Sequence, residues 1–207
     1  MKILAALLFN VLSINVLLGQ IAEPKPPNPT WTEADRQFLL DNLIRSRDEL
    51  LAATKDLTPE QWNFKESPDR WSINQNVEHL CLWELIHMNS ISESLQIGPF
   101  PDFTQYHPDD LFANGPKSEK KNITTDYTKP FTYSVPLGNN EGKDNIAWFL
   151  KLRNESIDYL KSETRNLRIH YIHFGANIHQ QYMMIYGHNF RHLRQIAEIK
   201  AHSNYPE

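Results

Sequence analysis

Apolar residues recur at helical spacing along four blocks of this chain. The first block begins at Thr30 or Thr32, of which Thr32 is a good helix N-cap with Asp35 three residues further on, and it ends before Pro59. The second block follows the cap residue Ser72 and runs to about residue 94. The segment between these two blocks, which contains the tryptophan Trp62, is interpreted as a loop.

The two later blocks complete the pattern. Asp144 or Asn145 is the expected cap of the third helix, which continues to about residue 167. The fourth helix is expected over about residues 177–201. Since no convincing alternating pattern of a strand occurs, the sequence predicts an all-α fold, a four-helix bundle.

A long insertion separates the second helix from the third. Residues 96–142 contain many prolines and no sustained period, and a loop of this length is uncommon and usually functional or disordered. Its length is consistent with a crossover connection, and its aromatic residues suggest that it packs on the bundle surface. Those aromatics are Phe100, Phe103, Tyr106, Phe112, Tyr127, Phe131 and Tyr133.

The N-terminus has the pattern of a secretory signal. A lysine precedes a mostly apolar run, and the small residue Gly19 marks the expected cleavage site, so residues 1–19 are predicted to be removed. Residues 20–30 form a proline-rich linker and residues 31–207 a single domain. We therefore expect a secreted or periplasmic protein without stable membrane insertion, because no other stretch is long and apolar enough to span a bilayer.

Charge and cysteine content restrict the possible partners. The formal net charge of -4 argues against a nucleic-acid partner, which would favour a basic face. Cys81 is the single cysteine, so no internal disulfide can form, and a buried, inert thiol is expected there. The substrate is expected to be a small molecule of unknown identity, and a homodimer is left open.

Two histidines near the C-terminus form the main candidate for chemistry. His188 and His192 are four residues apart on the fourth predicted helix, which stacks their imidazoles on one face. Such a pair can bind one divalent metal with a third ligand, for which His79 is the candidate. From the spacing alone, two polar residues on a partly buried helix face are the commoner interpretation.

The joint pattern of motifs resembles the DinB-like family of metal-binding four-helix bundles. The resemblance extends over roughly residues 31–202 and also includes residues 57–62, which look like the first interhelical loop of that family. It implies the fold and a metal site, but says little about the reaction because the family is chemically diverse. The motifs are Trp71-Ser72, Glu78-His79-Leu80, His188 with His192, and Gln195-Ile196.

The resemblance implies a metal held by His79, His188 and His192. Three protein ligands that leave the fourth position to water are typical of a catalytic zinc site. Imidazole also suits nickel, iron and copper, so the ligands do not determine the metal. We expect a divalent ion, zinc or nickel.

Three neighbours of the predicted ligands have assigned roles. Gln195 shares a helix face with His188 and could hydrogen-bond a ligand or cap the bundle core; both readings stay open. Trp83, four residues after His79, is expected to pack beside the site as a wall. Glu78 is interpreted as a surface or interhelix polar residue before a general base, because it points about 100° away from His79.

Other charged residues and histidines are expected to lie at the surface or in ion pairs. Arg191 and Arg194 are expected to be solvated or paired with acidic residues such as Glu198. A second histidine cluster around the connector before the last helix is expected to lie on the surface. Its members are His170, His173 and His179.

Two classes of function remain. One is a metal-dependent hydrolase or transferase; export favours the hydrolase, because the small thiols that transferases of this family use are cytoplasmic. The other is a non-catalytic bundle that binds metal or a small ligand. The sequence contains no nucleophile motif, paired cysteines or glycine-rich phosphate loop, so the catalytic residues are unassigned and no organic cofactor is expected.

Overall fold

The computed structural model describes residues 30–101, 108, 109, 112, 132–172 and 175–207. No β-strand occurs among these residues, apart from an isolated bridge between Tyr171 and Asn177. The predicted all-α class is confirmed. The helices are α1 (Glu33–Thr54), α2 (Pro59–Asn63), α3 (Ile73–Ile97), α4 (Gly142–Ser162) and α5 (Ile178–Lys200), with a 3-10 helix at Thr132–Ser134.

The four long helices form a bundle in which α3 and α4, consecutive in sequence, are adjacent, whereas the other consecutive pairs are diagonal. Helix α1 packs against α4 and α5, and α3 packs against the same two helices. Helices α1 and α3 therefore lie diagonally across the bundle, as do α4 and α5.

Helices α1 and α5 run in the same direction. Near their N-terminal ends, the indole Nε1 of Trp31 donates a hydrogen bond of 3.3 Å to Nδ1 of His179. At their C-terminal ends, the ammonium of Lys200 donates to the carbonyl oxygen of Ala53. The two contacts hold the two ends of this parallel pair.

Helices α3 and α4 form the second parallel pair. Asn145, near the start of α4, donates through Nδ2 to Oδ1 of Asn74 at 2.8 Å, near the start of α3. Further along both helices, Nε of Arg153 donates to Oε1 of Glu84 at 2.7 Å. The end of α3 and the start of α4 therefore lie at opposite ends of the bundle, which a crossover connection requires.

Helix α3 runs antiparallel to α5. Asn76 near the start of α3 lies 2.8 Å from His192 late in α5, measured between Oδ1 and Nδ1. His87, further along α3, contacts Gln181 near the start of α5. This pairing brings the predicted metal ligands of the two helices to the same level.

Side-chain caps begin most of the helices. Thr32, Ser72 and Asn177 each accept a hydrogen bond from the backbone N–H three residues on, and the first two are caps that the sequence predicts. Thr58 caps the short helix α2 in the same way, with proline at the first helical position. The sequence reading treated this segment as loop, although the spacing of threonine, proline and glutamine already carries a helix-start signal.

The start of α4 differs from the prediction. The helix begins at Gly142, with Glu141 as N-cap, rather than after Asp144 or Asn145. Trp62 from α2 lies directly against this glycine, and a Cβ placed there would be 2.1 Å from Cδ2 of the indole. The glycine therefore allows α2 to pack onto the first turn of α4.

The ends of two helices also differ. Helix α4 ends at Ser162 rather than near residue 167, because the carboxylate of Glu163 accepts the backbone N–H groups of Thr164 and Arg165, each at 2.9 Å. These two N–H groups therefore have a hydrogen-bond acceptor without a further helical turn. Helix α3 continues to Ile97, slightly beyond the predicted end.

Several predictions lie outside the described residues. These are the signal segment 1–19, nearly all of the linker 20–30, and most of the insertion 96–142. At the edge of the insertion, the backbone N–H of Phe100 donates to the carbonyl oxygen of Ile169 at 2.8 Å. Among the helices of the described ranges, none has the length and apolar character needed to cross a membrane.

A buried ion pair lies in the bundle interior. Arg153 and Glu84 are 1% and 3% exposed, and the guanidinium also donates 2.6 Å to Oγ of Ser46 and 3.2 Å to the carbonyl oxygen of Leu43. Ser156 donates to the other carboxylate oxygen of Glu84 at 2.9 Å. The network joins α1, α3 and α4 inside an otherwise apolar core.

Replacing Arg153 with methionine is expected to destabilise the protein by about 3–5 kcal/mol, because Glu84 would remain buried without its cation. Urea unfolding followed by circular dichroism measures the change. The matched control is Arg47→Met: Arg47 lies on α1 beside the same layer, is partly exposed, and pairs with Asp48 at the surface. An equal loss in both variants would show that the buried pair has no special role.

Candidate metal centre

The structure brings together the three histidines that the sequence singles out. His79 projects from α3, and His188 and His192 project from α5. One ring nitrogen from each lies within 4.8 Å of the others, and Nε2 of His188 lies 3.0 Å from Nε2 of His192. Bonds of about 2.0–2.1 Å to one ion require separations below about 4.2 Å, so the His188–His192 pair is already in range and the widest separation needs to close by less than about 1 Å.

The ring of His192 is held at both nitrogens. Asn76 donates its Nδ2 to the carbonyl oxygen of Ser72 at 2.9 Å, so its Oδ1 is left to accept a hydrogen bond from Nδ1 of His192 at 2.8 Å. The proton of His192 is therefore on Nδ1, and the lone pair on Nε2 faces the other two histidines. Such an outer partner sets the tautomer and orientation of a metal ligand. The sequence analysis did not identify Asn76.

The ring of His79 is oriented by the end of the insertion. Its Nδ1 lies 2.5 Å from the carbonyl oxygen of Ser134, which can only accept, so Nδ1 carries the proton and Nε2 is available. The carboxylate of Glu78 accepts the backbone N–H groups of Leu137 at 3.0 Å and Gly138 at 2.7 Å. Glu78 thus holds the segment that supplies the carbonyl oxygen; it is buried, and these contacts are to the connection before α4 rather than to another helix.

The three histidines are neutral in the folded protein. Burial lowers the pKa of His79 to about 4, and the charge of Arg191 acts in the same direction against the Ser134 hydrogen bond. Burial and the neighbouring positive groups lower the pKa of His188 and His192 well below 6.5. Neutral imidazole is the form that binds a metal, so protons compete weakly for these ligands near pH 7.

Two tryptophans form the walls of the centre. The ring of Trp71 lies 4.7 Å from that of His79, between centroids, and is stacked at 6.4 Å on that of His192. Trp83 lies 6.2 Å from His79 and 5.4 Å from His188, so its predicted role as a wall is confirmed. Trp71, Trp83 and His188 are only partly buried, which leaves the centre accessible from one side.

Two polar side chains of α5 adjoin the ligands. Gln195 is 6% exposed and lies next to His192, where it opposes the dominant lowering of the His192 pKa by burial. The Nη2 group of Arg191 donates to Nε2 of His192 at 3.2 Å. Arg191 is partly buried, and the expectation of a solvated or acid-paired side chain did not include this contact. Arg194 is exposed as expected, while Glu198 pairs with Arg70 at 3.6 Å.

The rival histidine cluster is buried rather than on the surface. His170 and His179 are 4% and 2% exposed, and His173 lies outside the described residues. Nδ1 of His179 accepts a hydrogen bond from Trp31, so Nε2 carries the proton and lies 3.6 Å from a carboxylate oxygen of Asp109. The two described histidines are therefore buried near the start of α5, and the prediction that they lie on the surface is wrong.

Cys81 is fully buried, as predicted. Its thiol contacts the carbonyl oxygen of Asn145 at 3.4 Å, and burial together with Glu84 and Glu78 raises its pKa. A thiol in this environment is a poor nucleophile and metal ligand.

The donor set fits a divalent metal ion of borderline softness. Three neutral imidazoles converge, and in the described ranges no carboxylate oxygen or thiol joins the cluster. Imidazole ligands suit zinc, nickel, copper and iron rather than calcium or magnesium, which prefer oxygen ligands. The arrangement is suited to Lewis-acid chemistry at an accessible position.

Comparison with known proteins identifies the family. The model described as the DinB superfamily matches residues 42–196, well over half of the chain. The chain therefore belongs to the DinB superfamily, and the resemblance drawn from its motifs is confirmed. No curated protein sequence matches this chain significantly.

Two solved structures are similar. YfiT from Bacillus subtilis, described as a probable metal-dependent hydrolase with an unusual four-helix bundle topology, is 14% identical, with a TM-score of 0.47 over 87% of this chain and 93% of YfiT. An uncharacterised protein from Escherichia coli UTI89 is 11% identical, with a TM-score of 0.48 over 79% of this chain and 92% of that protein. At these values neither structure bears on the activity of this chain.

Replacing Asn76 with alanine is expected to weaken metal binding by about 10–100-fold, because His192 loses the partner that fixes its tautomer. Competition with a chromophoric zinc chelator measures the affinity. Asn74→Ala is the matched control: this buried asparagine lies two residues earlier on α3 and bonds to Asn145 and to the carbonyl oxygen of Asn140. It should lower stability and leave affinity unchanged, whereas equal losses of affinity in both variants would contradict the role given to Asn76.

Proposed function

We propose that this member of the DinB superfamily is an exported metal-dependent hydrolase of a small molecule, with a divalent ion, zinc or nickel, held by His79, His188 and His192. The observation that supports the proposal is the convergence of the three ligand nitrogens within 4.8 Å in a partly accessible centre. Two of the rings are already fixed with Nε2 directed inward by Asn76 and Ser134.

The residues of the centre have distinct parts in such a reaction. A bound divalent ion would supply Lewis acidity that lowers the pKa of coordinated water toward neutrality. His79, His188 and His192 hold the ion, while Asn76 and the Ser134 carbonyl oxygen keep the rings in place. Trp71 and Trp83 reduce the contact of the centre with bulk water, which strengthens electrostatic interactions inside it.

The hydrolase is preferred over the transferase because of the proposed export. Residues 1–19 have the composition of a secretory signal, and the small thiols that would serve a transferase are confined to the cytoplasm. Water is available as a nucleophile in every compartment.

The purified full-length chain is expected to bind one equivalent of zinc or nickel. His79→Ala should weaken that binding by more than about 100-fold, beyond the usual effect of an outer partner. The bundle should stay folded, because its apolar clusters and not the metal supply most of its stability. Metal analysis after gel filtration measures the stoichiometry, and His202→Ala is the control, since His202 packs on Phe64 away from the centre. Full metal occupancy in His79→Ala would refute the ligand assignment.

The loaded protein is expected to hydrolyse members of a panel of small esters, amides and lactones, and to lose this activity on chelation and regain it on addition of zinc or nickel. Product formation is followed by chromatography. A loaded protein that turns over nothing in the panel, with chelation changing only its melting temperature, would instead indicate the non-catalytic binding role.

Export is expected to remove residues 1–19. Mass spectrometry of the protein recovered from the periplasm or medium should give an N-terminus near Gln20. An intact Met1 on a protein confined to the cytoplasm would contradict this, and would remove the reason for preferring a hydrolase over a transferase.

A further inference from the structure

Arg191 occupies a position that the proposed metal site does not explain. It lies on α5 between His188 and His192, and its Nη2 donates to Nε2 of His192 at 3.2 Å. That nitrogen is the one that would face the metal, since Nδ1 of the same ring donates to Asn76. The guanidinium therefore reaches the space that the three ligand nitrogens surround.

The ligands leave the charge of a metal uncompensated. All three are neutral imidazoles, and in the described part of the chain no carboxylate oxygen lies within the ligand cluster. A divalent cation beside a guanidinium then creates a strongly positive field at the accessible side of the centre. An oxyanion placed between the two cations would interact favourably with both.

The surroundings strengthen this interaction. Arg191 is partly buried next to a centre walled by Trp71 and Trp83, so its charge is less screened than that of a surface arginine. Arg194, one helical turn away on the same helix, is exposed and provides the natural comparison. The planar guanidinium presents paired N–H donors that match the oxygens of a carboxylate or phosphate.

We propose that Arg191 binds an anionic oxygen of the substrate beside the metal, so that the enzyme selects small molecules carrying a carboxylate or a phosphate. This inference rests on the proposed function, because it requires a metal at the three histidines. Arg191 then sets specificity by attracting the charged group, while the reacting bond lies toward the ligand nitrogens.

The test uses the full-length chain loaded with cobalt(II), whose visible absorption reports both metal binding and a change in its coordination shell. Acetate, inorganic phosphate and neutral acetamide are titrated at constant ionic strength. The wild type should bind at least one anion at least 10-fold more tightly than acetamide, and the tighter anion assigns the carboxylate or phosphate class.

The variants separate Arg191 from general surface charge. Arg191→Gln should weaken the preferred anion at least 10-fold while the cobalt spectrum without anion persists, and Arg191→Lys should fall between wild type and Arg191→Gln. Arg194→Gln should bind the anion within about 2-fold of wild type.

The possible outcomes distinguish failure of the proposed function from failure of the role given to Arg191. Absence of a protein-bound cobalt spectrum in the wild type would overturn the proposed function together with this inference. Three outcomes with a normal cobalt spectrum would overturn the role of Arg191 alone. They are no response to either anion, equal affinity for acetamide and acetate, and equal anion affinity in Arg191→Gln and Arg194→Gln. Binding of phosphate or acetate to the wild type and its selective loss in Arg191→Gln would support it.

Discussion

The antiparallel packing of α3 against α5 is the constraint on which the centre depends. Two contacts set its register: Asn76 meets His192, and His87 meets Gln181, eleven residues away along each helix. A slip of one helical turn moves side chains by about 5.4 Å. That shift exceeds the 4.8 Å within which all ligand nitrogens lie, so the metal centre exists in one register of these two helices only.

The centre also depends on the path of the chain between α3 and α4. Because α3 and α4 are parallel neighbours, the chain must return along the bundle before α4 begins. Just before α4, Ser134 presents its carbonyl oxygen to His79, and Glu78 holds the following segment through Leu137 and Gly138. A group from outside the four long helices therefore orients a ligand inside them. Changes in residues 132–141, the described end of this connection, should affect the candidate centre even though these residues contribute no ligand to it.

The sequence revealed the parts of the fold and site that depend on local spacing. The caps Thr32 and Ser72 precede apolar stripes, and His188 with His192 form a one-turn pair, so short-range rules identify them. Ser134 acts across fifty-five residues, and no local pattern predicts that contact. Arg191 lies three residues after His188, a spacing that places both residues on one helix face. Because arginine is charged, the sequence without tertiary structure favoured a solvent-exposed side chain.

Contacts between distant segments also explain why the sequence did not reveal the buried ion pair and why the predicted start of α4 was wrong. Arg153 lies four residues after Phe149, in the apolar stripe of α4, which was a signal of burial, but its partner Glu84 is on another helix. Gly142 begins α4 because Trp62 lies against it, whereas propensity alone favours the better caps Asp144 and Asn145. In both cases a contact between distant segments outweighed the local preference.

Polar groups inside this bundle gain their geometry from apolar packing around them. One cluster, including Leu39, Leu43 and Tyr182, lies toward the start of α5, and a second, including Val77, Leu80 and Ile196, adjoins the histidines. Hydrophobic burial of this kind supplies most of the stability of a domain. It therefore holds Nε2 of His192 3.0 Å from Nε2 of His188, a separation at which a proton on His188 can form a hydrogen bond between the two rings. The rings are thus held close together before any ion arrives, so less reorganisation is needed when one binds, as expected of a preorganised site.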